Sequence, residues 1–201
     1  EIASCLVGSE MCIRDRVRSR PRMTDARPAA RRRVVIVGGG FGGLACARAL
    51  AGADVDVTLV DKRNHHLFQP LLYQVSTAAL SPADIAAPIR KVLASARNVT
   101  VLLAEASGVD TEARTLLLDD GDSLPYDQLV LATGSAYNYF AHPEWKKHAP
   151  APKTIADART IRARLLGTFE AAERTDDPVA RGALLTLSLI HISEPTRQEA
   201  I

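Results

Sequence analysis

The sequence predicts an α/β fold in which helices wind a parallel sheet and a small antiparallel β element stands beside it, and three segments carry that prediction. Val34 to Val37 is a run of four β-branched apolar residues that enters Gly38-Gly39-Gly40-Phe41-Gly42-Gly43. An Ala/Leu-rich stretch comes next, and a second apolar run, Val55 to Val60, ends on Asp61. Further along, Leu129 to Ala132 reads as a buried strand that runs directly into Thr133-Gly134. Short apolar runs separated by helical stretches are the mark of parallel strands, because helices cover both faces of such a sheet.

The glycine turn is the most informative of the three. Gly38, Gly40 and Gly43 fill the G-x-G-x-x-G pattern of a dinucleotide-binding βαβ unit. The first glycine permits a tight turn out of the strand, the second lets backbone N–H groups approach a pyrophosphate, and the third lets the helix pack on the sheet. The helix predicted to start near Gly42 directs its positive end at those phosphates. Asp61 lies eighteen residues beyond Gly43, where a carboxylate can accept hydrogen bonds from both ribose hydroxyls. An acid there suits an adenosine with a free 2′-OH, as in FAD or NAD, and disfavours a 2′-phosphate. The fold class is therefore Rossmann-like, an FAD/NAD(P)-binding fold, and incomplete in this chain.

Residues 64–79 are apolar without a clean period and suit a loop pressed against a ligand. Ser81-Pro82-Ala83-Asp84 is a helix start, and the helix it opens, to about Ala96, must bend or restart at Pro88. Val99 to Leu103 reads as a strand; Ala106 to Asp110, Thr115 to Leu118 and the Asp-Asp-Gly-Asp turn read as short antiparallel strands. Thr154 and Asp157 form a capping box for a last helix whose stripe of Ile161, Leu165 and Phe169 faces the core. A further strand begins at Leu184-Leu185-Thr186. Arg31 to Arg33 precede the first strand, Cys46 is a small buried helix residue, and Tyr73 and Trp145 are packing residues. His65 and His66 serve local hydrogen bonding rather than acid–base chemistry, so no catalytic residue is assigned.

The two ends carry a different message. Residues 1–16 can be encoded by a DNA string whose reverse complement, read from its first base, translates as the whole of residues 187–201. Fifteen codons satisfied in this way, with a core like a transposase-end sequencing adapter, mark both ends as translated adapter. The expected organisation is adapter at 1–16, a leader or arm at 17–33 with Met23 as the start, a partial FAD-binding domain at 34–186, and an adapter tail at 187–201. Without the ends the chain has 22 basic and 18 acidic residues, and Arg18, Arg20 and Arg22 before Met23 account for three of the four surplus charges. That distribution gives no case for nucleic-acid binding. Cys46 is the only cysteine outside the ends, so neither a disulfide framework nor a metal cluster is expected. No stretch approaches the roughly 18 apolar residues that span a bilayer, and the expected location is cytoplasmic.

GGGFGG, the run VTLVDKRNHHLFQPLLYQVSTAALSPADIAAPIR and LPYDQLVLATG closely resemble the N-terminal half of type II NADH:quinone oxidoreductases, single-subunit enzymes that do not pump protons. The 63–75 run is the specific signal; it separates this group from ferredoxin-reductase-like NAD(P)H flavoproteins, the alternative reading. The resemblance implies FAD on Gly38, Gly40, Phe41, Gly42 and Gly43, with Asp61 on the adenosine ribose and Lys62 beside it. It also implies Ala106 backbone at the adenine edge, Gln69 approaching the flavin, and Thr133 and Gly134 over the pyrophosphate and ribityl region. NADH and a quinone are the implied partners of the parent protein. Its contact with the cytoplasmic face of the inner membrane would be peripheral, through a C-terminal region absent from this chain. The chain itself is then a nucleotide-binding fragment expected to be inactive. Relatives with a redox disulfide carry a C-x4-C near the flavin, and no such pair occurs in this sequence. Quinone identity, NADPH use and oligomeric state stay open.

Overall fold

A computed structural model describes residues 31–139 and 141–186. The unit that begins at Arg32 holds every element below. Strands β1 (Arg32–Val37), β2 (Val55–Asp61), β5 (Val99–Leu103) and β9 (Gln128–Leu131) form one parallel sheet in the order β5-β2-β1-β9. Between β1 and β2 runs helix α1 (Phe41–Ala49). The strand order reverses direction at β1, between β2 on one side and β9 on the other, which is the switch point where open α/β sheets bind ligands.

The apolar run of β1 is continuous because both of its faces are covered. Val34 and Ile36 pack with Leu44 and Ala47 of α1 and with Ile89 and Leu93. The alternate residues Val35 and Val37 join Val60, Leu116, Leu118 and Tyr126 on the other face. That second cover is an antiparallel meander of β6 (Ala106–Asp110), β7 (Thr115–Leu118) and β8 (Ser123–Pro125). The first two strands stand at their expected bounds, and β8 is an addition that its short, Pro-ended sequence did not signal.

The segment from 64 to 96 is more ordered than its sequence suggested. Residues 64–79 are not a loop: His65–Leu67 is strand β3, Gln69–Leu71 a 3-10 turn, and Leu72–Ser76 helix α2. The irregular apolar spacing arises because α2 sends Leu72 and Val75 into a separate small core with Ile85 and Ala158. The capping box at Ser81 and Asp84 forms as expected, but closes only a 3-10 turn, Pro82–Asp84. Strand β4 (Ala86–Pro88) then pairs antiparallel with β3, and the helix restarts after Pro88 as α3 (Ile89–Val92).

Other expectations need correction. Arg32 and Arg33 lie inside β1, because the Arg33 backbone and guanidinium both bond Asp127 at the entry of β9. The strand expected at Leu129–Ala132 runs from Gln128 to Leu131 and is not buried: among the described residues it is an edge strand, with Leu131 66% exposed. Helix α4 (Ile155–Glu173) has the expected capping box, yet only Ala158 and Ala172 are buried. Its stripe touches little beyond α2 and the next helix, so Ile161 and Leu165 are half-buried and Phe169 is exposed. Leu184 closes helix α5 (Pro178–Leu184), N-capped by Asp177, where a strand was expected. Tyr73 is 58% exposed, Trp145 is 49% exposed and stacks on the His142 ring at 4.3 Å, and Cys46 is half-buried. The adapter assignments at 1–16 and 187–201, and nearly all of the leader at 17–33, lie outside the described residues.

Candidate dinucleotide site

The carboxyl ends of the four parallel strands meet along one edge. The Gly38 N–H donates to the Val60 carbonyl at 2.7 Å, Ala132 N–H to Val37 at 2.8 Å, and Ala104 N–H to Asp61 at 3.1 Å. These bonds set the glycine turn, Asp61, residues 104–106 and Thr133-Gly134 side by side. Gly38 takes a φ of +109°, and a Cβ there would overlap the carbonyl of Ala132. At Gly43 a Cβ would overlap the carbonyl of Gly38, so helix and strand approach at a distance only glycine permits. At Gly40 a Cβ would meet nothing within 4 Å. Of the three motif glycines, Gly40 thus stands open between the closed positions Gly38 and Gly43.

Gly40 is the N-cap of α1, with no side-chain cap and no acid in the first turn. The first-turn N–H groups, including those of Phe41, Gly42 and Gly43, lack intrahelical partners and carry partial positive charge. Gly40 and Gly42 are exposed.

Gly39 is the fixed point of the turn. Its N–H donates to Asp61 Oδ2 at 2.5 Å, while Asp61 Oδ1 accepts from the Arg63 N–H at 2.7 Å. The Asp61 side chain is only 11% exposed, with Arg63 Nε at 4.0 Å. Sequence reasoning gave this carboxylate to a ribose; in the structure both oxygens already hold backbone. Each oxygen keeps further acceptor capacity, so the two uses are compatible. His66 Nδ1 lies 3.1 Å from the Gly39 carbonyl. Its ring meets Phe41 edge-on at 5.0 Å, and Phe41 meets Phe68 at 5.4 Å. His65 bonds its neighbour Asn64, a local contact as expected, whereas the His66 bond reaches 27 residues back in the chain.

The other expected residues fall into place less evenly. Lys62 pairs with Glu105 at 2.9 Å across the ends of β2 and β5, and Ala106 is the first residue of β6. Thr133 and Gly134 leave the edge strand exposed to solvent. Gln69 is exposed, one residue past Phe68, and no described contact joins it to the glycine turn. Beyond Gly134, Lys153 Nζ bonds the Ser135 carbonyl at 2.6 Å and its hydroxyl at 2.8 Å, and lies 5.1 Å over the Tyr137 ring. Burial, with Tyr139 and Asp157 nearby, pushes the Tyr137 hydroxyl above its ordinary value. Sequence reasoning missed His66 as a partner of Gly39, Ile89 against the same residue, and Glu105; only the position of Ile89 after Pro88 hinted at a fresh helix start.

Among the described residues no group of His, Cys, Asp or Glu could hold a metal ion, and Cys46 is free. A parallel sheet with its switch point at a glycine turn and an acid on the next strand defines a dinucleotide-binding α/β protein. Residues 32–175 match the pyridine nucleotide-disulphide oxidoreductase family, and the chain belongs to it. It is 48% identical over 163 residues to the type II NADH:quinone oxidoreductase NdhA of Mycobacterium tuberculosis, covering 80% of this chain and 35% of that protein. It is 45% identical over 168 residues to Ndh of the same organism, covering 82% of this chain and 36% of that protein. NDH2 from Plasmodium falciparum, solved in complex with NADH, matches 75% of this chain and 32% of its own at 27% identity and a TM-score of 0.65. The chain therefore spans about a third of the length of these relatives, and the resemblance resting on the 63–75 run agrees with them.

Proposed function

We propose that the whole protein is an FAD-dependent oxidoreductase that passes electrons from NADH to a membrane quinone without pumping protons, and that this chain supplies its first FAD-binding part. The observation that carries the reading is the open space over Gly40 between the closed positions Gly38 and Gly43. The names of the relatives NdhA and Ndh support the reaction. FAD supplies hydride acceptance from NADH and electron delivery to the quinone when bound. The chain's own work is to bind and orient. First-turn N–H groups from Gly40 to Gly43, beside Phe41, receive the pyrophosphate, and Asp61 and Lys62 take the adenosine ribose. Ala106 backbone meets the adenine edge, Thr133 and Gly134 cover the ribityl region, and Gln69 approaches the flavin.

The domain reading continues as a proposal: residues 34–186 form the partial FAD domain, and segments beyond it carry the NADH and quinone sites. No helix among the described residues is long and apolar enough to cross a membrane, which is compatible with peripheral attachment on the cytoplasmic face of the inner membrane. The full-length protein, purified and assayed with NADH and a soluble quinone, should oxidise NADH and release FAD on denaturation. A purified protein that carries no flavin would refute the reading. The exposed β9 edge favours a second statement about the segment alone. Residues 23–186 should hold FAD weakly and oxidise no NADH, and turnover by that segment would refute it.

A further inference from the structure

We propose that His66 is a positioning residue for the dinucleotide turn: its Nδ1–H to the Gly39 carbonyl aims the Gly40 N–H at the bound phosphate. The inference rests on the FAD reading above, and its geometry is independent of it. A carbonyl oxygen only accepts, so the contact at 3.1 Å requires the imidazole proton to sit on Nδ1. The Gly39 carbonyl and the Gly40 N–H belong to one planar trans peptide and point in opposite directions. A donor that holds the carbonyl on one side therefore turns the N–H to the other, and Gly40 itself is exposed, with nothing within 4 Å of a Cβ placed on it.

Gly39 is gripped from three directions. Asp61 holds its N–H, His66 holds its carbonyl, and Ile89, fully buried, fills the space where a side chain would be. A single ribbon delivers two of the three. His66 pairs with Ala87 in the β3–β4 ladder, and β4 ends at Pro88 directly before Ile89, whose N–H returns to the Asn64 carbonyl at 3.1 Å. Phe41, the first residue of α1, packs its ring edge-on against the imidazole and fixes the ring plane. The 64–89 segment thus clamps the one backbone unit of the turn that must keep its orientation before a phosphate arrives. The chemical class of ligand is an organic pyrophosphate, and the role of His66 is orientation, not proton transfer.

Three variants of the full-length protein separate this role from packing. An Asn side chain places an amide N–H where Nδ1 stands, a Gln side chain places it where Nε2 stands, and Leu offers no donor. FAD affinity should fall roughly tenfold or more in His66→Leu and His66→Gln and stay within about threefold in His66→Asn. The flavin absorption spectrum of the Asn variant should match that of the parent. Imidazole nitrogen NMR of the flavin-free protein should show the proton on Nδ1 of His66. A proton on Nε2, or an Asn variant that loses as much affinity as Leu, overturns the proposal. Equal affinity in all three variants also overturns it. A parent protein that binds no flavin refutes the proposed function instead, and the tautomer measurement then still decides the clamp.

Discussion

Replacing Gly40 and Gly43 separately by alanine should split stability from binding, although the two residues stand one helical turn apart. At Gly43 the new methyl would overlap the Gly38 carbonyl and press Ile36 Cγ2 at 3.4 Å. A backbone carbonyl cannot rotate away, so the steric cost lies at the upper end of the roughly 1–3 kcal/mol typical of overpacking. Alanine returns about 1 kcal/mol of helix propensity. The net loss should be about 2 kcal/mol, a fall in melting temperature of about 4–8 °C for a domain of this size. At Gly40 the φ of −75° suits any residue and the methyl meets no protein atom. Losing a glycine N-cap costs up to about 1 kcal/mol, and reduced freedom of the unfolded chain returns roughly 0.4–1 kcal/mol. The melting temperature of Gly40→Ala should therefore stay within about 2 °C of the parent. Under the proposed function its methyl stands where the pyrophosphate would approach, and the loss of one charged N–H···O bond, about 1.5–3 kcal/mol, should weaken FAD at least tenfold. Differential scanning calorimetry and flavin titration of the full-length variants read both quantities. A Gly40→Ala protein that binds FAD as tightly as the parent, or a Gly43→Ala protein that melts with it, would refute the reasoning.

Three further perturbations have definite expected outcomes. Asp61→Asn leaves either the Gly39 or the Arg63 N–H facing an amide NH2, so urea unfolding should show a loss of about 1–3 kcal/mol, with weaker FAD. Asn98, whose side-chain amide donates to the carbonyls of Leu50, Ala53 and Val55 and accepts from Gly52 N–H, ties the turn after α1. Asn98→Ala should cost about 2 kcal/mol in urea unfolding and leave FAD affinity unchanged, since the turn lies at the opposite end of the sheet. Hydrogen bonds from the Arg33 side chain and N–H hold the Asp127 carboxyl below its ordinary value of 3.8. A depressed folded value means the stabilisation is present above pH 3.8 and lost as pH falls through the folded value. The stability gap between parent and Asp127→Asn should therefore be constant from about pH 7 to 5 and close below pH 3.8.

The βαβ core was legible because its signals are local and steric. Val34 to Val37 must be apolar on every residue when both faces of β1 are covered, and Gly38 and Gly43 are demanded by single backbone contacts. Capping boxes at Ser81 and Thr154 also form, since they involve four consecutive residues. Element length was not legible at Ser81, because how far a helix runs beyond its cap depends on distant partners: Ala86–Pro88 became a strand only because β3 lies across from it. Nor was burial along β9 and α4, where Leu131 and Phe169 have apolar sequence and exposed positions. Apolar pattern reports the faces a segment is built to cover, and in the described residues those two faces lack neighbours that would cover them.

The site shows the same division one level higher. Glycine spacing and the acid at 61 identify a phosphate turn, but they do not say what orients its peptides. That comes from His66, in a segment of irregular period that looked like a loop, and from Ile89, at the restart of the helix expected after Ser81. A motif of small residues is legible through the contacts it permits. The side chains that make such a motif rigid are contributed by whatever the fold brings across from it, here a two-stranded ribbon 27 residues downstream of the glycine it holds.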